Sequence, residues 1–227
     1  MARTLNPVAH AARRDAFVEA AMRLIASKGY EQLSIQDVLD EVGSSKGAFY
    51  HYFNSKAALL AAVVEHSVDA AAASLVPIVA DPNLSPLQKI QAMFSGIAQW
   101  KGERTELMLE IGRVWLSDDN AVVRERLRSA TATRLTPLLT TIIRRGTEEG
   151  VFTASPAEGV ANVFVALMLG LNEAAGQLSL ARQAGVVSFE DVERTLTAYG
   201  EAFERVLGLP AGSWPAADKA TLHRWFD

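Results

Sequence analysis

Apolar residues along this chain recur three and four positions apart, the spacing that puts them on one face of an α-helix. A clear case is the set Ile35, Val38, Leu39 and Val42, at positions i, i+3, i+4 and i+7. No segment shows the convincing alternation of apolar and polar residues that marks a half-buried strand. The pattern therefore predicts an all-α protein.

Serine and glycine mark the expected helix boundaries. A serine oxygen can accept a backbone N–H of the first turn, and glycine can end a helix because it adopts a left-handed backbone. The expected caps are Ser34, Ser55, Ser85, Ser155 and Ser188, and proline follows Ser85 and Ser155, where it fits the first helical position. The expected stops are Gly29, Gly43, Gly150 and Gly185, together with the turn Asp81-Pro82-Asn83. These signals predict nine helices, at 9–28, 35–42, 46–52, 56–79, 86–101, 104–117, 120–149, 156–183 and 189–207.

Two of the predicted helices carry further information. Helix 120–149 contains Pro137, which removes a backbone hydrogen bond and predicts a kink. Helix 156–183 is apolar almost all round between Val160 and Leu171, so we expect it to be buried on more than one side. A helix that faces both its own core and a second apolar surface is typical of a subunit interface.

Residues 44–56 form the most distinctive segment, SSKGAFYHYFNSK. If residues 46–53 are helical, successive side chains turn by about 100°. Phe49, Tyr52 and Phe53 then lie on one side, which packs inward. The other side offers a cation, a gap in the side-chain cover, a phenol and an imidazole, from Lys46, Gly47, Tyr50 and His51. Such a surface suits a phosphate backbone and the edges of bases.

The preceding segment suggests how this surface is presented. Ser34 and Asp37 have the spacing of a capping box, and Gly43 follows the last apolar residue of the short helix. A short capped helix, a glycine turn and a second helix describe a helix-turn-helix, whose second helix enters the major groove of DNA. An ordinary helical hairpin with a solvated face fits the same spacing.

The stretch from Arg13 to Leu60 resembles the N-terminal domain of the tetracycline-repressor (TetR) family. The resemblance rests on the alanine-rich first helix that ends in Lys28-Gly29-Tyr30, on the start of the second helix at Leu33-Ser34-Ile35, and on the segment SSKGAFYHYFNSK. The rest of the chain agrees with the family only in length and in its all-helical pattern. The resemblance implies a three-helix helix-turn-helix domain, followed by a helical domain for ligand binding and dimerisation.

The family's motif carries DNA-binding roles onto individual positions of this chain. It implies that Lys46 bonds a guanine edge or neutralises a phosphate, and that Gly47 lets the helix approach the groove closely. Gln36 is expected to reach a base edge or a phosphate. The remaining expected contacts hold the DNA backbone and come from Ser34, Ser45, Tyr50, His51, Tyr52 and Lys56.

The resemblance also suggests how the chain is divided. We expect a DNA-binding domain at residues 1–55, an effector-binding and dimerisation domain at 56–209, and a C-terminal tail at 210–227. In the family, the last two helices pair with those of a second subunit. Helices 156–183 and 189–207 are therefore expected to form a homodimer interface.

Composition narrows the range of functions. The chain has no cysteine, which excludes disulfides, thiolate metal sites and cysteine nucleophiles. The net charge is −4, but residues 1–56 carry +1, so a positive surface depends on the placement of Lys46, Lys56 and the N-terminal arginines. No unbroken apolar run is long enough to cross a bilayer, and polar and small residues follow Met1. We expect a cytoplasmic protein with no membrane partner.

Catalysis and metal binding have little support in the sequence. The four histidines are scattered, no serine lies in a nucleophile-elbow pattern, and no glycine-rich phosphate loop occurs. His66 and Asp69 have a spacing that allows a shared metal, but a surface pair is the more common outcome. We expect neither an enzyme nor a bound metal or cofactor.

Large and soft apolar residues on the fifth to eighth predicted helices are candidates for an effector site. They are Met93, Phe94, Ile97, Trp100, Met108, Ile111, Trp115, Phe164 and Met168, with Asn172 as a polar contact. A plain hydrophobic core explains the same stripes. The ligand expected there is small and mostly apolar.

The end of the chain differs in character. Residues 210–215 form a turn-rich linker, and Trp214, Trp225 and Phe226 are large aromatic residues in an otherwise loose tail. The tail either packs onto the body or the partner subunit, or acts as a lid over the effector site or a docking segment for another protein.

Together these features predict a ligand-responsive transcriptional regulator, a repressor that binds a palindromic operator as a homodimer and leaves it when an effector binds. Within the same class, an activator or a regulator without a small-molecule ligand is the alternative. From another class, the alternative is an all-helical enzyme or a lipophilic carrier that uses the C-terminal cavity.

Overall fold

A computed structural model of the protein describes residues 7–116, 121–215 and 219–226. Within these ranges it contains ten helices: α1 (Pro7–Lys28), α2 (Ile35–Val42), α3 (Lys46–Tyr52), α4 (Lys56–Ala80), α5 (Pro86–Gly102), α6 (Thr105–Leu116), α7 (Ala121–Glu148), α8 (Ala157–Gln183), α9 (Phe189–Leu207) and α10 (Lys219–Phe226). The predicted all-α class and the nine predicted helices are confirmed. Helix α10 lies in the predicted tail, where no helix was expected.

The helices form two compact units. The N-terminal unit comprises Met1–Ser74 and Gly96–Ala130, and the C-terminal unit comprises Leu75–Ser95 and Thr131–Asp227. Three long helices, α4, α5 and α7, contribute residues to both units. The domain boundary predicted after residue 55 separates the DNA-binding segment from the rest of the chain. This boundary stays a prediction.

The N-terminal unit is built around a cluster of aromatic and aliphatic side chains. Phe17 of α1 is fully buried, and its ring centroid lies 5.7 Å from that of Phe49 and 6.2 Å from that of Phe53. Leu107 and Val114 of α6, which contacts α1, join this cluster. Burying each such side chain stabilises the fold by roughly 1.5–3 kcal/mol, so the first three helices are held on a common core.

Most of the predicted caps are present. The Ser34 and Ser188 oxygens accept the backbone N–H groups of Asp37 and Asp191, in complete capping boxes. Ser55 accepts the N–H of Ala58 at 3.0 Å. In the same way Ser85 accepts the N–H of Gln88 at 3.3 Å. The predicted left-handed glycines are also found, at Gly29, Gly43, Gly150 and Gly185.

The predicted cap at Ser155 is wrong. Helix α8 begins one residue later than expected, at Ala157, and its N-cap is Pro156, which has an extended backbone and makes no side-chain cap hydrogen bond. Because Pro156 is not the first helical residue, Ser155 lies one position too early to cap the helix. The Ser155–Pro156 peptide bond is cis.

Helix α7 continues through Pro137. Thr140 and Thr141 donate their hydroxyls to the carbonyls of Thr136 and Pro137, at 2.8 and 3.0 Å. The predicted kink stays a prediction.

Helix α8 buries one face within the chain. Phe164 is fully buried and Val165 and Met168 are nearly so, whereas Val163 is 50% exposed and Leu180 is 48% exposed. The prediction that this helix is buried on more than one side is therefore not met by the single chain. By length and composition, α4 and α8 are apolar enough to span a bilayer, as are many core helices of soluble proteins. Within the most apolar stretch of each helix, 44% is buried in α4 but only 17% in α8.

Candidate nucleic-acid interface

Helix α3 has two chemically distinct faces, as its sequence predicts. Phe49 is fully buried and Phe53, which ends the helix, is 3% exposed. The opposite face is exposed and consists of Lys46, Gly47, Tyr50 and His51, which we call the recognition face. A cation, an aromatic hydroxyl and an imidazole next to a residue without a side chain can bond phosphate oxygens and base edges.

The turn before α3 is fixed by backbone bonds. Gly43 ends α2 with φ of 63°, and the N–H of Ser44 donates to the carbonyl of Leu39 at 2.9 Å. These features satisfy carbonyls at the end of α2 that would otherwise lack partners. Arg13 of α1 donates a guanidinium N–H to the Ser44 hydroxyl at 3.3 Å. The turn is therefore attached both to α2 and to α1.

An ion pair and a capping box attach the start of α2 to α1. The Asp37 carboxylate accepts the backbone N–H and the hydroxyl of Ser34, at 2.7 and 2.6 Å, and lies 2.5 Å from the Lys28 ammonium. The bond from Lys28, followed by those from Ser34, holds the pKa of Asp37 well below its ordinary value. Asp37 is therefore ionised at neutral pH, and its carboxylate connects the start of α2 to Lys28 of α1.

Lys56 is engaged with the loop before α2. Its ammonium donates to the Glu31 carbonyl at 3.2 Å and lies 4.3 Å from the centroid of the Tyr30 ring. Burial lowers the pKa of Lys56 and raises that of Tyr30. A contact from Lys56 to DNA would have to share or replace these interactions, because one ammonium has three donors.

The other predicted DNA-binding residues differ in their exposure and in the contacts that their side chains already make. Ser34 and Ser45 are exposed, but their hydroxyls accept backbone N–H groups as helix caps. Gln36 is exposed and donates to the Asp40 carboxylate at 2.7 Å. Tyr52 is half-buried, with its ring 5.8 Å from that of Phe17. The structure thus places Ser45 and the recognition face together on one exposed helix, and the DNA roles of all nine residues stay predictions.

Sequence reasoning missed His10 as a neighbour of this surface. Its ring lies 5.5 Å from that of His51 and 4.6 Å from that of Tyr52. The contact joins residues of α1 and α3 that are far apart in the chain, so no local pattern predicts it. Through this contact, α1 borders the recognition face.

The predicted effector residues are divided between the two units. The N-terminal unit holds Ile97, Trp100, Met108, Ile111 and Trp115, and the C-terminal unit holds Met93, Phe94, Phe164, Met168 and Asn172. Met108 and Ile111 pack against the N-terminal core, and the Trp100 ring lies 4.6 Å from the Arg104 guanidinium carbon. The side chain of Trp115 lies outside the part of the chain that the structure describes.

Within the C-terminal unit, Phe94 lies edge-on to Phe164, with 6.0 Å between the ring centroids. Met93 and Met168 are buried and Asn172 is exposed. A cavity of about 260 Å³ lies on α8 and α9, and another of about 550 Å³ lies in the N-terminal unit. Neither cavity is lined by a predicted effector residue, and the effector site stays a prediction.

Trp214 of the tail packs onto the body of the C-terminal unit, with its ring centroid 5.0 Å from those of Phe94 and Phe203. For this residue the first of the two expectations about the tail is confirmed. Phe226 joins a small apolar cluster with Leu222 and Val192. The side chain of Trp225 lies outside the described residues. Across the described ranges, no three His, Asp or Glu side chains come together as a metal site.

Comparison with known proteins identifies the domain that carries the recognition face. The model of the family described as bacterial regulatory proteins, tetR family, matches residues 17–63. An uncharacterised HTH-type transcriptional regulator of Lactococcus lactis subsp. lactis is 34% identical over 84 residues, which are 37% of this chain and 43% of that protein. The transcriptional repressor KstR2 of Mycolicibacterium smegmatis is 30% identical over 89 residues, 39% of this chain and 43% of the repressor.

The match to these curated relatives spans less than half of their length. Among solved structures, RolR in complex with resorcinol superposes with a TM-score of 0.63 over 98% of this chain and 96% of RolR, at 14% identity. At that identity the likeness concerns the fold alone. The family match covers α2, α3 and the recognition face, so residues 17–63 are similar to the N-terminal domain of the tetR family of bacterial regulatory proteins.

Proposed function

We propose that the protein is a DNA-binding transcriptional regulator, a repressor that binds a palindromic operator as a homodimer and is released by a small, mostly apolar effector. The observation that carries this proposal is the recognition face. It places Lys46, Tyr50 and His51 on the exposed side of the second helix of a helix-turn-helix, over a buried aromatic core.

The DNA-binding part of the proposal follows from the chemistry of that face. Lys46 is exposed at the first position of α3, where it can bond a guanine edge or a phosphate. Tyr50 is 48% exposed and offers a hydroxyl to the phosphate backbone. Gly47 has no atom within 4 Å of the position that a Cβ would take, which leaves the approach to the groove open.

The homodimer is supported by the uncovered face of α8. Val163 and Leu180 of α8 are 50% and 48% exposed in the single chain. Exposed apolar surface of this kind marks protein interfaces. A second copy of α8 and α9 would cover it, and a two-fold dimer would present two recognition helices to two half-sites about one helical turn, 34 Å, apart.

The effector proposal is supported by the ligand-bound relative in fold and by the aromatic side chains of the C-terminal unit. RolR has been solved with resorcinol, a small aromatic molecule. In this chain, an effector that binds one of two conformations more tightly would shift the population towards it. Since α4 contributes residues to both units, a shift of α4 would change the separation of the recognition helices and weaken operator binding.

The names of the relatives favour a transcriptional regulator over an enzyme or a carrier. The matched proteins are named as transcriptional regulators or repressors. A cytoplasmic regulator without catalytic activity is therefore the function we propose, in preference to an all-helical enzyme or carrier.

A gel shift with the DNA upstream of the protein's own coding region tests the proposal. A regulator of this class is expected to retard that fragment at nanomolar concentrations, in the range of about 10⁻⁸–10⁻¹¹ M that specific complexes reach. A scrambled fragment of equal length and composition is the control. Equal affinity for both fragments across a range of salt concentrations would contradict a specific regulator.

A further inference from the structure

Three phenylalanines from three helices form a box in the C-terminal unit. Phe94 of α5, Phe164 of α8 and Phe203 of α9 have ring centroids separated by 6.0 Å (Phe94 to Phe164), 5.2 Å (Phe94 to Phe203) and 4.6 Å (Phe164 to Phe203). Phe164 and Phe203 are completely or almost completely buried. Rings at such distances, most of them tilted or edge-on, make favourable aromatic contacts. We call this set the aromatic box.

The box is filled by the chain's own tail. The Trp214 indole stacks on Phe203 at 5.0 Å with 29° between the planes, meets the edge of Phe94 at 5.0 Å, and lies 6.2 Å from Phe164. Gly200 of α9 leaves room for it, since a Cβ there would lie 3.2 Å from Trp214 Cδ1. The box therefore accommodates a planar bicyclic ring.

A buried carboxylate stands beside the ring. Glu204 is 6% exposed, and its Oε1 accepts the backbone N–H of Trp214 at 2.6 Å. Leaving a buried hydrogen-bond acceptor without a donor raises the free energy of the protein. A molecule that replaces the tail is therefore favoured if it brings an N–H or O–H group of its own, and an anionic molecule is disfavoured by the charge of Glu204.

Trp214 holds the tail at this point through its ring contacts and through the bond from its backbone N–H to Glu204. Ser213 bonds only locally, with its N–H and hydroxyl both donating to the carbonyl of Pro210. Trp214 is half-buried, unlike Phe164 and Phe203 beneath it. Release of residues 210–215 therefore requires that the Trp214 contacts be replaced, and a bound aromatic molecule with a hydrogen-bond donor can replace them.

We propose that the aromatic box is a binding site for a small planar aromatic molecule that carries an N–H or O–H donor, and that Trp214 occupies the site until such a molecule displaces the tail. The ring geometry and the Glu204 carboxylate are the evidence for the binding site. Its role as the effector site rests on the proposed function. The molecule takes the place of the indole between Phe94 and Phe203 and donates its hydrogen bond to Glu204.

Calorimetry with indole on the full chain tests the site. The Trp214→Ala variant should bind indole about tenfold or more tightly than the wild type, because an apparent affinity is reduced by the fraction of the protein whose site is free. Trp214→Phe is the matched control, since a phenyl ring keeps the box occupied, and it should stay near the wild type. Equal affinity of all three proteins, or no binding by any, would overturn the proposal.

The hydrogen bond to Glu204 is tested with 1-methylindole, which has the same ring but no N–H. On the wild-type chain, where displacement of the tail also removes the backbone N–H of Trp214 from Glu204, 1-methylindole should bind at least about fivefold more weakly than indole, within the range expected for one hydrogen bond. Equal affinity of the two ligands would overturn the role of Glu204.

A second readout uses the wild-type chain and does not depend on the fold of a variant. With 5-fluorotryptophan incorporated, the ¹⁹F resonance assigned to Trp214 should move to the position of a solvent-exposed tryptophan as indole saturates the site. An unchanged resonance at saturating indole would overturn displacement of the tail.

Operator binding by the same proteins separates this inference from the proposed function. If Trp214→Ala gains affinity for indole but none of the three proteins binds the upstream DNA, the aromatic binding site is supported and the proposed regulatory function is refuted. If all three proteins bind the upstream DNA but have the same affinity for indole, the aromatic binding site is refuted and the proposed regulatory function is kept.

Discussion

Lys46 and Tyr50 owe their exposure to neighbours that are themselves hidden from solvent. Phe49 and Phe53 anchor α3 on the ring of Phe17, and their spacing turns the remaining side chains outward. The sequence predicts this division of faces, because it depends only on helical geometry. The bonds that occupy the Lys56 ammonium were not predictable, since they join Lys56 to a loop distant in sequence.

Replacing Lys46 or Tyr50 with alanine should weaken operator binding by roughly 1–3 kcal/mol each, with little loss of helicity because both side chains are exposed. A phosphate contact would also lower the salt slope by about one unit. Fluorescence anisotropy with a labelled operator measures both effects. Arg23→Ala, which removes an exposed charge paired with Glu41, is the control, and affinities of both variants equal to that of the control would refute the recognition face.

Asp37 makes the stability of the protein depend on pH. Its pKa is lowered in the folded state, so its contribution is complete above the unfolded value of about 4 and is lost as the pH falls below that value. The melting temperature of the wild type should therefore fall more steeply between pH 5 and pH 2 than that of Asp37→Asn. The control is Asp40→Asn, which removes the same charge from α2 outside the capping box. Parallel slopes for wild type and Asp37→Asn would show that the capping box does not act in this way.

At the scale of helices, serine caps and glycine stops were the most informative local signals. They located the boundaries of α2, α5 and α9, because a cap involves residues only three positions apart. The same signal failed at Ser155, where the backbone of Pro156 is extended rather than helical. Helix α10 was missed because its apolar side chains find their partners on other helices, as Phe226 does near Val192.

Helix α2 has eight residues and depends strongly on its cap. Ser34→Ala should lower the free energy of unfolding by about 0.5–2 kcal/mol, the usual cost of losing an N-cap serine. Ser27→Ala is a matched control in the same unit, since Ser27 lies inside α1 and its hydroxyl bonds the carbonyl of Leu24. Urea unfolding followed by circular dichroism measures the difference. Equal midpoints for the two variants would mean that the cap contributes little.

At the scale of the whole molecule, the apolar surface of α8 is the feature that one chain leaves uncovered. The sequence showed that this helix is apolar almost all round, but a pattern cannot tell burial within a chain from burial between chains. The structure resolves the two faces, with Phe164 inside and Val163 exposed. The Trp214 contacts with the aromatic box were equally invisible to local patterns, because they join the tail to α5, α8 and α9.

The exposed face of α8 leads to a prediction about assembly. Val163→Glu should convert a dimer into monomers and reduce operator affinity, because a charge on the dimer seam would be buried without a partner. Val186→Glu is the matched control, since Val186 is 75% exposed in the loop after α8. Light scattering at micromolar concentration measures both. A wild type that is monomeric at that concentration would rule out the proposed dimer.

Selection from a random DNA library tests whether α3 reads DNA in a two-fold symmetric complex. The wild-type protein should enrich a palindrome whose half-sites are centred about 34 Å, or a multiple of that distance, apart. The double variant Lys46→Ala with Tyr50→Ala should enrich no sequence or a clearly weaker one. No enrichment by the wild type, or the same palindrome enriched equally by the double variant, would show that the recognition face does not read DNA.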